Sequence, residues 1–108
     1  MTIDRLRRHC HTLKRLSKPK PSITRPIIKD ASKDLLHTLS ECSYNVLKGV
    51  VPLTSKEKNK LCRYKTKLRQ IANKKVSQKR KRAILMQGGF LGALLSPIIG
   101  VLGSLLAN

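Results

Sequence analysis

The charge of this chain stops at one residue. Lysine and arginine crowd the sequence up to Arg82, and from Ala83 to Asn108 no charged side chain occurs. Such a chain has a cationic part that repels itself and an apolar part that must be covered. Lys and Arg total 24 against five acids (Asp4, Asp30, Asp34, Glu41, Glu57), a net charge of +19 that opposes compaction without a polyanion. The expected partner is nucleic acid or an anionic membrane. At 108 residues there is room for one small domain and little room for a large catalytic cleft.

The three aromatic residues, Tyr44, Tyr64 and Phe90, give little material for stacking unpaired bases, so contact with duplex phosphates fits better. Cys10, Cys42 and Cys62 are odd in number and widely spaced. The opening from Met1 to Lys18 has a cationic helix pattern and no apolar leader run, so a reduced intracellular setting is expected.

The periodicity predicts an all-α chain, partly disordered. In the N-terminal arm, residues 1–16, Ile3, Leu6, Cys10, Leu13 and Leu16 recur at helical spacing among arginines and lysines. Residues 17–30 carry Pro19, Pro21 and Pro26 and read as an extended linker. A basic helical region over 31–87 follows. Ser32 is placed to cap a helix with the stripe Leu35, Leu36, Leu39, Cys42, Val46 and Leu47, ended by Gly49. Thr54 and Glu57 form a Thr-x-x-Glu capping box that opens a second helix to about Asn73, with the stripe Leu61, Tyr64, Leu68 and Ile71. These two make a helical hairpin over 31–73, the only soluble core expected. A third, basic helix spans 77–87, with Val76 as a staple residue and Gly88 at its end.

The hairpin and third helix hold the expected nucleic-acid contacts: Lys56, Lys58, Lys60, Arg63, Lys65, Lys67, Arg69, Lys74, Lys75, Lys79, Arg80, Lys81 and Arg82, with Glu57 as the one acid among them. Lysines and arginines on helices neutralise phosphates by counterion release, without regard to sequence. The four cations Lys79–Arg82 oppose the dipole of their own helix, a cost that bound phosphate would remove. They also have the form of a nuclear-localisation cluster. Asn59, Arg63, Gln70 and Asn73 could read bases, but no pattern singles them out. Double-stranded DNA is the expected partner, and RNA offers the same phosphates.

No catalytic constellation is legible. His9-Cys10-His11 lacks the spaced pairs of a structural zinc site, His37 with Glu41 four residues on reads as a surface pair, and no glycine-rich phosphate loop is present. No enzyme, metal or cofactor is expected.

The tail, residues 88–108, is uncharged and about as long as a bilayer-spanning helix. Small residues recur at Gly88, Gly92, Ser96, Gly100 and Ser104, a face through which helices self-associate. A membrane-spanning or membrane-active segment, a self-associating helix and a tail buried in an assembly (a capsid interior, for instance) all fit residues 90–107. With Lys and Arg just upstream, a small membrane-anchored protein of an intracellular membrane is the alternative reading.

At the frontier stands Met86-Gln87-Gly88-Gly89-Phe90. It resembles the Met-x-Gly-Gly signal that adenovirus-type cysteine proteases cut after the second glycine. A glycine pair also serves as a helix end and hinge, with Gly88 left-handed. The basic run, the signal and the Leu/Ile/Pro/Gly-rich tail together resemble the precursor of the adenovirus core peptide mu. Asn45–Gly100, including Pro52-Leu53-Thr54 and Gly88-Gly89-Phe90-Leu91, is similar to short basic proteins of adintoviruses and Polinton (Maverick) elements. The resemblance implies a non-enzymatic virion core protein, located in the virion and host nucleus, that condenses the genome and loses its tail on maturation. The helical hairpin and the smaller number of arginines depart from the adenovirus peptide and argue against tight arginine-rich compaction.

Overall fold

The computed structural model describes residues 3–18, 20–87 and 89–106, and, of those, all side chains except those of Ile3, Leu102, Ser104, Leu105 and Leu106. Among the described residues the chain is all-α, with eight helices and no strand: α1 (Ile3–Arg8), α2 (Cys10–Leu16), α3 (Pro21–Lys29), α4 (Lys33–Leu47), α5 (Ser55–Cys62), α6 (Lys65–Ala72), α7 (Gln78–Leu85) and α8 (Phe90–Leu106).

The helix starts follow from capping chemistry. The Ser32 hydroxyl accepts from the Leu35 N–H at 3.1 Å, and Ser77 does the same for Arg80 at 3.2 Å. Thr54 and Glu57 complete the reciprocal box, at 3.2 Å and 2.9 Å. Gly49 ends α4 with φ +76°, while its N–H reaches Val46 O and the Val50 N–H reaches Asn45 O, the two bonds of a Schellman turn.

Four expectations are corrected. The segment read as an extended linker is helical over Pro21–Lys29. Pro21 occupies the first turn, where its missing N–H has no helical partner to lose, and Lys20 before it is extended, as a residue preceding proline must be. Pro26 does cost a donor inside the helix, yet the helix continues past it and buries Ile28 at 0 % exposure. The N-terminal helix is broken at His9 into α1 and α2. The helix expected from Thr54 to Asn73 is likewise two helices: the Arg63 N–H turns back to Lys60 O and the Tyr64 N–H to Leu61 O, a tightened i→i−3 turn that re-aims the chain. That break lets one stretch serve two surfaces, since α6 packs on α4 and α5 packs on α8.

The fourth correction concerns the core. One apolar cluster unites Leu6, Leu13 and Leu16, the α4 stripe, Leu61, Leu68 and Ile71, Ile84 and Leu85, and Phe90, Leu91, Leu94, Leu95 and Ile98. The hairpin stripes are buried as the periodicity required, but the arm and the tail close the same core, with α8 lying on α2, α4 and α5. At Gly92 a Cβ would stand 3.6 Å from the Ser17 carbonyl oxygen, an ordinary contact, so the packing of α8 beside Ser17 does not require glycine there.

Candidate nucleic-acid interface

Only a few of the acids meet cations. Asp34 and Glu41, on α4, receive the N-terminal helices: Arg5 pairs with Glu41, Arg8 with Asp34 at 3.0 Å, and His9 Nε2 lies 2.6 Å from Asp34 Oδ2. His37 stands 3.6 Å from Glu41, as its spacing suggested. The His9 hydrogen bond is the main cause that holds the Asp34 carboxyl below its ordinary value; partial burial opposes it and Arg8 assists it. Glu57 is spent on the capping box, and the Ser96 hydroxyl approaches its other oxygen at 3.4 Å.

The basic stretch from Lys56 onward therefore stays uncompensated. Lys56, Lys58, Lys60, Arg63, Lys65, Arg69, Lys74, Lys75, Lys79 and Arg80 are exposed, and none forms an ion pair among the described residues. Lys67 is half-buried with its ammonium 5.3 Å from the Tyr64 ring centroid, a cation–π contact. Lys81 and Arg82 differ from the rest. Lys81 is 8 % exposed and donates to Ser40 Oγ at 3.0 Å, and burial lowers its pKa. Arg82 donates to the Ala31 carbonyl, and its Nε is buried without a hydrogen-bond partner among the described residues. The Lys79–Arg82 run thus offers two outward cations and turns two inward, where they tie α7 to α4 and to Ala31 just before it.

Of the polar residues considered for base reading, Asn59 and Arg63 are exposed, Gln70 is half-buried, and the Asn73 side chain accepts from the Lys75 N–H at 2.9 Å. Nothing brings these four together on one face of a single helix. His9 serves Asp34, and among the described residues no three His, Cys, Asp or Glu side chains gather as a metal-binding set. Burial pushes the Cys42 thiol up to about 12, far from a reactive thiolate.

Two cavities indent the surface. The larger, about 1140 Å³, lies beside the paired charges and is walled by both signs, including Arg5, Asp34, Glu41 and Lys81. The smaller, about 740 Å³, is rimmed by Lys56, Lys60 and Arg63 together with Lys18, Lys20 and Arg25. The last three were not among the expected contacts because their segment read as a linker; Lys18 and Lys20 just before Pro21 and Arg25 after it were the available signal.

The same groove is walled by Met86, Gln87 and Gly89. Gly88 lies outside the described residues, so its expected roles as helix end, left-handed hinge and packing position lie there too, as does the side chain of Ser104. Gly89 holds φ +87°, and a Cβ on it would come within 2.7 Å of the Tyr64 hydroxyl oxygen. Tyr64 in turn meets Phe90 edge-on, with ring centroids 5.6 Å apart, and Phe90 is 0 % exposed. The Gly89–Phe90 bond is thus anchored on its C-terminal side by a fully buried ring. Among the described residues no single helix is long and apolar enough to cross a membrane; α7 with Phe90–Val101 passes by length and composition only as a pair bent by 91°.

No family model, curated protein or solved structure matches the chain.

Proposed function

We propose that this chain is a non-enzymatic, sequence-independent DNA-binding core protein of an adenovirus-like virus or transposon, acting in the virion and host nucleus. The observation that carries the reading is the row of exposed cations on folded helices, ten of them between Lys56 and Arg80, with no ion pair among the described residues. Such side chains exchange condensed counterions for phosphates at little cost in order, because the helices already hold them. Lys81 and Arg82 leave the interface in this reading and act as internal ties. The experiment is binding of the full chain to two unrelated duplexes and one duplex RNA at near-physiological salt. Equal affinities for the two DNAs support the reading, and discrimination of a hundredfold or more between them overturns it.

The Met86–Phe90 resemblance supports a maturation site for an adenovirus-type protease. With Phe90 buried, that bond is reached only when α8 leaves the core, so cutting is gated by local unfolding. Intact mass after protease treatment tests it, with fragments 1–89 and 90–108 as the expected products.

A second reading has its own observation: α8 is free of charge from Phe90 to Leu106. Released, it would present Leu94, Leu95 and Ile98 to a bilayer or a capsid interior, or to a second tail through Gly92, Ser96 and Gly100. Leakage of anionic vesicles by the full chain, absent in Leu94→Asp, is the outcome that reading requires.

A further inference from the structure

The smaller groove joins two stretches that are distant in sequence. Lys18 and Lys20 come from the connection between α2 and α3 and Arg25 from α3, while Lys56, Lys60 and Arg63 come from α5 and its C-terminal turn. All six are exposed, and none has a carboxylate partner among the described residues. The one acid in the wall, Glu57, already accepts from the Thr54 N–H. Six like charges facing one depression repel one another, and folding brings them together with a single acid, Glu57, among them. Three helices, α3, α5 and α8, also have their first turns in this wall, so their dipoles add positive potential to it. Each contribution is modest, and the C-terminal ends of α2 and α7 in the same wall oppose them, so the side-chain cations set the sign of the groove's potential.

We infer that this groove is the seat of one strand of a duplex's phosphodiester backbone, with Lys18, Lys20 and Arg25 contacting phosphates on one side and Lys56, Lys60 and Arg63 on the other. The inference rests on the DNA-binding reading proposed above and goes beyond it in two respects. It adds three contacts from a segment outside the basic run, and it fixes where on the molecule the tightest phosphate contacts occur. The remaining cations of α6 and α7 then make looser contacts beside the seat. The larger cavity is a poorer seat, because its wall carries Asp34 and Glu41.

The test uses the full chain, a fluorescent mixed-sequence duplex, and the slope of log affinity against log salt. The triple variant Lys18→Gln, Lys20→Gln, Arg25→Gln removes three contacts and should lower the slope by about 2.7, at roughly 0.9 per phosphate. The control Lys29→Gln, Lys33→Gln, Lys48→Gln removes the same charge from exposed positions outside the groove and should lower it by less than about 1. Equal losses in the two variants would overturn the seat and leave the general DNA-binding reading standing. A parent chain with no salt-dependent binding would remove that reading, and the seat with it. Vesicles of phosphatidylserine and phosphatidylcholine form a third arm: loss of vesicle binding in the groove variant with the DNA slope unchanged would assign the groove to lipid headgroups and overturn the inference. Lysine acetylation of the unmutated protein gives an independent readout should the variant misfold. Bound duplex should protect Lys18, Lys20, Lys56 and Lys60 and leave Lys29, Lys33 and Lys48 reactive; uniform protection would count against the seat.

Discussion

Two sides of this molecule carry many basic groups and treat them in opposite ways. Beside α4, Arg5 and Arg8 of α1 and the following His9 are matched with Asp34 and Glu41, and His37 joins from α4 itself. Across α5, α6 and α7 the cations stand free of any ion pair among the described residues. On the first side charge docks helices; on the second it remains available to a ligand. A net charge of +19 therefore understates the asymmetry, because much of what is neutralised lies on one side. The comparison separates stability from binding, and substitutions on the two sides should move different observables.

The largest expected effect lies beneath the free cations. Since α5 rests on α8, the cationic side depends on the apolar tail. Ile98→Ala removes a fully buried side chain and should cost about 2–5 kcal/mol in denaturant unfolding. The same variant should expose the Gly89–Phe90 bond and speed its cutting by about thirtyfold or more, the factor that 2 kcal/mol gives when opening is fast. Unchanged cutting would mean the bond is already accessible with α8 docked.

The two left-handed glycines sharpen the contrast between a crowded and an open site. Gly49→Ala meets no atom within 4 Å and should cost about 1 kcal/mol, from backbone strain alone. Gly89→Ala carries the same strain plus the approach to the Tyr64 hydroxyl, so it should cost about 2–3 kcal/mol. Adding Tyr64→Phe should recover the steric part and leave the backbone part, giving a coupling that a double-mutant cycle reads in chemical denaturation.

Smaller effects follow from titration. The folded pKa of Asp34 is depressed, so its contribution is present above the unfolded value near 4 and is lost as pH falls through the folded value. Asp34→Asn should flatten that acid limb and leave the salt slope of DNA binding unaltered. Lys81 gives a slope of the same sign in a higher pH window. Its folded pKa is also depressed, so the protonated lysine opposes folding at neutral pH and stability rises as pH climbs from the folded value toward 10.5. Lys81→Met should abolish that rise with no change in the salt slope, whereas Lys58→Gln should lower the slope by about 0.9.

The helix caps and the apolar stripes were legible because each depends on residues within a few positions. Ser32, Thr54 with Glu57, Ser77 and Gly49 all act as their spacing requires. What stayed hidden depends on partners distant in sequence. Helical periodicity ran on through His9 and Tyr64, and only docking on α4 and α8 explains the two breaks. Prolines disguised α3, whose Ile28 joins a core built from helices distant in sequence. A charge-free tail beginning after Arg82 looked like an appendage because no local pattern names its partner, which turns out to be α2 and α5. For the interface, a count of lysines located the cationic stretch, but it could not distinguish Lys79 and Arg80, which face outward, from Lys81 and Arg82, which turn inward, nor place Lys18, Lys20 and Arg25 beside Lys56 and Lys60.

The central claim is that uncompensated cations on preformed helices bind duplex phosphates regardless of sequence. It is tested most directly by the salt dependence of the full chain's affinity for two unrelated DNA duplexes. Six to ten phosphate contacts predict two superimposed lines with slopes of roughly −5 to −9. A slope near zero, or parallel lines separated by a hundredfold or more in affinity, would contradict it.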